Sequence, residues 1–217
     1  MENNETIQNI NELGTTSVPQ KSAEIHCITI VGQVEGHQIL SEDTKTTKYE
    51  HVLPMLAAIE ESDEIEALLI LLNTAGGDVE AGLGIAEMIA GMRKPTASLV
   101  LGGGHSIGVP MAVSAKKSFI APSAAMMLHP VRLTGVVIGA PQTYNYFTSI
   151  QDRIVNFITE HSAVSREKLL ELMMRTDELA NDVGSVITGR QAVELGIIDN
   201  LGNLGDVLEY LRAEIKK

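Results

Sequence analysis

Apolar residues recur along the chain in two periods. Ile25-His26-Cys27-Ile28-Thr29-Ile30 alternates as a half-buried strand does, whereas the run from Ile65 to Leu72 is almost continuously apolar. An unbroken apolar run of that length suits a central parallel strand covered by helices on both faces. The pattern predicts a strand near 25–31, a helix near 46–61, a strand near 65–72, a helix near 79–92 and a strand near 96–101. That alternation is α/β. The last three elements form a βαβ unit joined through Lys94-Pro95, with a right-handed crossover expected.

Beyond Ser106 a short helix is expected to about Ala115, then strand-like pieces at Ser118 to Ala121 and Ala125 to Leu128. Glycines and β-branched residues between Val131 and Pro141 suggest an arm or loop. From Gln142 to His161 one stripe carries Tyr146, Ile150, Ile154, Phe157 and Ile158, which predicts a long amphipathic helix suited to facing a partner subunit. Ser165 is placed to cap a helix over 166–175, and Thr188 with Gln191 makes a capping box for a helix stopped at Gly196. A short strand at Ile197-Ile198 and a terminal helix near 203–215 complete the prediction. Residues 1–23, rich in Asn, Glu, Thr and Gln, read as a flexible polar tail ahead of a single domain over 24–217.

Composition narrows the function. The 28 acidic against 16 basic residues give a formal charge of −12, which repels a nucleic-acid backbone or an anionic lipid surface. Three Phe, four Tyr and no Trp leave no stacking platform for bases, so nucleic acid is set aside as a partner. One cysteine, Cys27, makes no internal disulfide and suits a reducing cytoplasm. The acidic start, Met1-Glu2-Asn3-Asn4-Glu5-Thr6, lacks the basic and apolar regions of a secretory signal. Thr96 to Ala115 is free of charged side chains and long enough to span a bilayer, but Gly102, Gly103, Gly104, His105, Ser106 and Pro110 interrupt it. Buried strand, turn and helix are expected there, and no transmembrane segment.

Two glycine-rich turns end the two best-defined strands: Asn73-Thr74-Ala75-Gly76-Gly77-Asp78 and Gly102-Gly103-Gly104-His105-Ser106-Ile107-Gly108. Each opens a helix, so free N–H groups and the positive ends of two helix dipoles converge on one volume that favours an anion. With Ser106 at the first turn of its helix, the anion that fits is the oxyanion of a serine nucleophile's reaction. The glycines could equally serve close strand–helix packing alone. Phosphate is disfavoured, because neither turn has the Gly-x-x-x-x-Gly-Lys-Ser/Thr arrangement and Asp78 adds negative charge. The six histidines show no His-Glu-x-x-His spacing, so neither a metal nor any other cofactor is expected. The base proposed for Ser106 is His129, at the end of the apolar strand Met126-Met127-Leu128 and ahead of Pro130, unless it is a turn histidine with its polar atoms satisfied locally. His105 adjoins Ser106 but is expected to point away, and His161 is expected to be solvated.

Gly104-His105-Ser106-Ile107-Gly108 also matches the Gly-x-Ser-x-Gly elbow of α/β-hydrolase esterases. The acid and base that chain order allows such an enzyme, Asp152 and His161, fall on one predicted helix, whereas that fold draws them from loops after separate strands.

From about Ile25 to Tyr210 four blocks in order resemble the proteolytic subunit of the Clp protease, ClpP, and within that family its translocation-enhancing branch. They are Asn73-Thr74-Ala75-Gly76-Gly77-Asp78-Val79 followed by Ala81-Gly82-Leu83, Gly104-His105-Ser106-Ile107-Gly108, Met127-Leu128-His129-Pro130, and Ala192-Val193-Glu194-Leu195-Gly196-Ile197-Ile198-Asp199. The resemblance implies a crotonase-like α/β spiral of βαβ units with a long handle helix over 142–161, homo-oligomeric rings stacked through that helix, and a Ser-His-Asp triad. It implies Ser106 as nucleophile, His129 as base, and the N–H groups of Gly77 and Ile107 as the oxyanion hole. Counted back from Gly196, the family's acid falls on Gly184, and Asp182 stands two residues earlier as the expected third member. Ala75 occupies the place of a family proline, and the stretch between His129 and the long helix is extended relative to the family.

The expected function is that of a cytoplasmic serine endopeptidase acting on peptides or unfolded protein segments. An ATP-dependent unfoldase partner and a link to protein export and signal-peptide clearance are implied by the resemblance alone. The alternatives are a non-catalytic ring subunit and a crotonase-type acyl-CoA enzyme, besides the esterase.

Overall fold

A computed structural model describes residues 16–18, 24–132, 138–177 and 183–217. Strand β1 (Thr16–Val18) lies inside the expected tail and pairs antiparallel with β2 (Glu24–Glu35). The rest of that tail, 1–15 and 19–23, falls outside the described residues. β3 (Thr46–Lys48) pairs parallel with the far end of β2, and α1 (Tyr49–Glu61) follows directly. The helix expected from 46 therefore begins three residues later. The β-branched pair Thr46-Thr47 favours a strand, and the Thr47 hydroxyl donates to the Val31 carbonyl and accepts the Val31 N–H, each at 2.9 Å.

β4 (Ile65–Gly77) lies between β2 and β5 (Thr96–Gly104), parallel to both, with α2 (Val79–Ala90) as the crossover between β4 and β5. The continuous apolar run thus occupies the central position expected of it. On one face of the sheet Ile25, Cys27, Leu69, Leu99 and Phe119 pack under Val207 and Leu211 of the terminal helix. On the other, Ile28, Ile30, Leu68, Ile70 and Leu72 meet the helices that carry Leu56, Ile85, Met111 and Ile154. Burial of both faces is why the apolar run of β4 does not alternate with polar residues.

The uncharged segment 96–115 resolves into β5, a turn and the short helix α3 (Gly108–Val113). Then come β6 (Lys117–Ile120), parallel to β5, and β7 (Ala125–Leu128), which turns away to pair with β5 only at Gly103. The long helix α4 (Ala140–Glu160) starts two residues early, with Pro141 in its first turn, where a missing N–H costs nothing. Ile150, Ile154, Phe157 and Ile158 of the expected stripe are buried, but Tyr146 is 58% exposed. Arg153 ties α4 to α2 by donating to both carboxylate oxygens of Glu80, at 2.6 and 2.9 Å. Residues 133–137 of the expected arm lie outside the described residues.

α5 (Arg166–Met173) is capped by Ser165 as expected. β8 (Ser185–Thr188), which no sequence signal announced, pairs antiparallel with β7, and α6 (Gly189–Glu194) carries the Thr188/Gln191 capping box. The expected strand at Ile197-Ile198 does not form. Both N–H groups turn back to the Ala192 carbonyl, at 2.9 and 3.2 Å, while the side chains fill the core. The strand is instead β9 (Asn200–Leu201), parallel to β6, and α7 (Leu204–Ile215) closes the fold. Among the described residues no helix is long and apolar enough to cross a membrane.

Candidate active site

The β4–β5 ladder shifts register between Leu72 and Thr74, and that break opens the site. Where the ladder loses a bond, the Asn73 side-chain oxygen accepts the Gly103 N–H at 2.9 Å, so the two strand ends separate without leaving that donor unpaired. The buried Thr74 hydroxyl donates to the Gly32 carbonyl at 2.6 Å and accepts the Gly76 N–H at 3.0 Å. Its own carbonyl accepts the His105 N–H at 3.1 Å. One residue therefore fastens the first glycine turn to the second. Asp78 caps α2, accepting the Ala81 N–H at 2.9 Å, so its charge serves the helix N-terminus.

Ser106 is the one non-glycine residue with positive φ among the described residues, at 57°. A left-handed serine is costly in an ordinary turn and is held here by its neighbours. Its N–H donates to the Met127 carbonyl of β7 at 2.9 Å, and its carbonyl accepts the Val109 N–H at 3.0 Å. Gly76 lies against it so closely that a Cβ there would be 2.6 Å from Ser106 Cβ, which explains a glycine with φ of +92°. The Ile107 N–H donates to no backbone acceptor among the described residues.

Ser106, Ile107, Gly77 and His129 line one cavity of about 110 Å³, closed by Val79, Met173 and α4 residues Ile154 and Ile158. Four of the five site residues expected from sequence are thus brought together; the fifth, Asp182, lies outside the described residues. Ser106 Oγ makes no hydrogen bond among the described residues. The His129 ring is half-buried, and its Nδ1 lies 2.7 Å from the Pro130 carbonyl. A carbonyl only accepts, so Nδ1 carries the proton and Nε2 is left as the basic nitrogen. Gly184, where the family acid was counted to fall, adjoins this histidine: a Cβ at 184 would be 2.9 Å from His129 Cβ and 2.4 Å from the Leu128 carbonyl.

His105 points away from Ser106, as expected. Its ring covers Gly103, its Nδ1 is buried with no hydrogen-bond partner among the described residues, and burial pushes its pKa down. The esterase alternative loses its acid and base: Asp152 pairs with Arg166, His161 stacks on Phe157 at 4.2 Å, and neither lines the cavity. The sequence reading missed the roles of Asn73, Thr74 and the Pro130 carbonyl. The first two sat within a motif assigned to its glycines, and a main-chain acceptor leaves no mark in residue type.

Residues 21–204 match the family described as Clp protease. The chain is 55% identical over 212 residues to the translocation-enhancing protein TepA of Halalkalibacterium halodurans, covering 97% of this chain and 83% of that protein. It is 23% identical over 179 residues to the ATP-dependent Clp protease proteolytic subunit 1 of Protochlamydia amoebophila, covering 78% and 82%. To the ATP-dependent Clp protease proteolytic subunit of Streptococcus pneumoniae it is 25% identical over 158 residues, covering 69% and 76%.

Proposed function

The chain belongs to the Clp protease family, and from that premise we propose that it is a serine endopeptidase of peptides or unfolded segments, with Ser106 as nucleophile and His129 as general base. The observation that carries this reading is the single cavity shared by the strained Ser106, His129, Gly77 and Ile107. As Ser106 Oγ attacks the peptide carbonyl carbon, its proton passes to His129 Nε2, and the carbonyl oxygen takes up the displaced electron pair. The Gly77 and Ile107 N–H groups hold that oxyanion; donors of this type contribute on the order of 100 to 1,000-fold in rate. His129 then gives the proton to the leaving amine, the C–N bond breaks, and an acyl-serine remains. His129 then takes a proton from a water whose oxygen bonds to the acyl carbon; the bond from that carbon to Oγ breaks, the acid leaves, and His129 returns the proton to Oγ.

The reading extends to a cytoplasmic setting and to a homo-oligomeric ring joined through α4, whose first turns expose Tyr144 and Tyr146 at 71% and 58%. The proposal includes an ATP-dependent partner, in keeping with the name 'ATP-dependent Clp protease proteolytic subunit' of the Clp relatives, and a role in translocation, in keeping with the name of the translocation-enhancing relative.

Incubation of the purified protein with an unstructured peptide library, read by mass spectrometry, tests the reaction. Internal cleavages that disappear in Ser106→Ala are expected; cleavage that survives the substitution contradicts the proposal. A second reading, a non-catalytic ring subunit, draws on the glycine at 184, and a folded, assembled protein that cleaves nothing would favour it.

A further inference from the structure

Just before the two glycine turns the β4–β5 ladder falls out of step. Leu72 pairs with Val100 and Thr74 with Gly104, so three residues of β5, Leu101, Gly102 and Gly103, stand opposite Asn73 alone. Such a bulge leaves main-chain groups unpaired and re-aims the chain that follows it. Here the Asn73 side chain fills the gap. Its Oδ1 accepts the Gly103 N–H at 2.9 Å, and its amide lies so close over Gly102 that a Cβ there would be 2.5 Å from Oδ1. Gly103 is also where β5 pairs with β7. β7 in turn takes the Ser106 N–H on its Met127 carbonyl and leads directly into His129. Asn73 thus grips the second turn where three strands meet.

The two proposed oxyanion donors follow this bond at equal distance along the chain: Gly77 is four residues after Asn73, and Ile107 four after Gly103. A second link, from the His105 N–H to the Thr74 carbonyl at 3.1 Å, lies between the bond and the donors. Asn73 itself does not line the cavity that holds Ser106 and His129. Resting on the serine-peptidase reading, we propose that Asn73 is a positioning residue of the oxyanion hole: by accepting the Gly103 N–H, its Oδ1 sets the spacing between the Gly77 and Ile107 donors. Two N–H groups on separate turns serve one oxygen only when their places are held to within roughly 0.5 Å. The ladder has no pair between Leu72 and Thr74 to hold them, so the task falls to the side chain. Leucine at 73 has similar bulk but no acceptor, whereas aspartate keeps an acceptor oxygen in the same place. The side chain at 73 is exposed, so the charge of an aspartate is screened by solvent.

The test is the saturation kinetics of phosphonylation of the full-length protein by an alkyl fluorophosphonate, whose phosphoryl oxygen takes the place of the oxyanion. Asn73→Leu should lower the first-order rate by at least about tenfold, a part of the roughly 100 to 1,000-fold that one oxyanion donor contributes. The half-saturating concentration should stay within about threefold, because a group that places transition-state donors does not act on ground-state binding. Asn73→Asp, which restores the acceptor, should react at least about fivefold faster than Asn73→Leu. Residue-resolved hydrogen exchange adds a reading that holds even if Asn73→Leu does not fold: the Gly103 amide should be protected in wild type and in Asn73→Asp. The proposal is overturned by a folded Asn73→Leu whose first-order rate falls less than this, by an Asn73→Asp as slow as Asn73→Leu, or by a Gly103 amide that exchanges freely in wild type. A wild type that is not phosphonylated at all fails the peptidase reading and the proposal with it. A wild type that reacts while Asn73→Leu reacts equally fast fails this proposal alone.

Discussion

Thr74 Oγ1 accepts the Gly76 N–H at 3.0 Å while donating to the Gly32 carbonyl. This buried hydroxyl holds the turn on which Gly77 faces the cavity. Thr74→Val keeps the shape and removes both bonds, leaving two buried main-chain groups unsatisfied at about 1–3 kcal/mol. The expected outcome is a lower midpoint of thermal unfolding together with at least a tenfold slower reaction of Ser106 with a fluorophosphonate. Thr74→Ser, which keeps the hydroxyl, should recover most of the reaction rate. Equal loss in both variants would mean that the methyl group, which packs against Gly108, carries the effect.

Two glycines should respond in opposite ways to alanine. At Gly76, φ is +92° and the new Cβ would meet Ser106 Cβ at 2.6 Å and the His105 carbonyl at 2.9 Å, so the serine itself must move. Gly76→Ala is expected to abolish phosphonylation and to cost about 1–3 kcal/mol in backbone strain. Gly84 lies inside α2, with nothing within 4 Å of its would-be Cβ. Gly84→Ala should stabilise the fold by about 0.4–1 kcal/mol in denaturant titration, through the entropy of the unfolded chain, and leave the reaction rate unchanged.

The sequence made the sheet legible where periodicity and burial agree. The apolar run at Ile65 to Leu72 could only be central, and the Ser165 and Thr188 caps announced their helices. It misled where a long-range partner decides. Thr46–Lys48 became a strand because β2 offers it an edge, and Ile197-Ile198, apolar and β-branched, was drawn into the core by hydrogen bonds to Ala192. In the site, Ser106 and His129 were found from residue type at strand ends. The hydroxyl of Thr74, the approach of Gly184 and the Pro130 carbonyl were not, since each acts through backbone positions set by another strand.

Cys27 is buried in the sheet, and burial pushes its thiol up to about 11. Thiolate, the reactive form, is therefore scarce in the native protein at neutral pH. Iodoacetamide at about pH 8, just below the ordinary thiol value, should leave native Cys27 unmodified over hours and modify it promptly in denaturant. The sign on stability follows: a raised folded pKa gives stability that is present below the unfolded value and lost as pH rises through the folded one. Fast native alkylation would contradict the buried placement.

His105 has the opposite shift. Burial lowers its pKa, so the folded protein binds fewer protons than the unfolded chain once pH drops to the ordinary histidine value near 6.5. The associated stability is present above that value and lost as pH falls through the folded pKa. His105→Leu, similar in bulk, should flatten the fall in thermal midpoint between about pH 7 and pH 5 relative to wild type. An identical fall in both proteins would assign the acid sensitivity to other groups.

The central claim is that Ser106 is activated by the cavity it shares with His129. Intact-mass spectrometry of the full-length protein after fluorophosphonate treatment tests it most directly, since phosphonylation needs an activated serine and assumes no peptide substrate. A single adduct that is absent in Ser106→Ala and His129→Ala is predicted. A folded wild-type protein that forms no adduct, or one whose adduct persists in Ser106→Ala, would contradict the account.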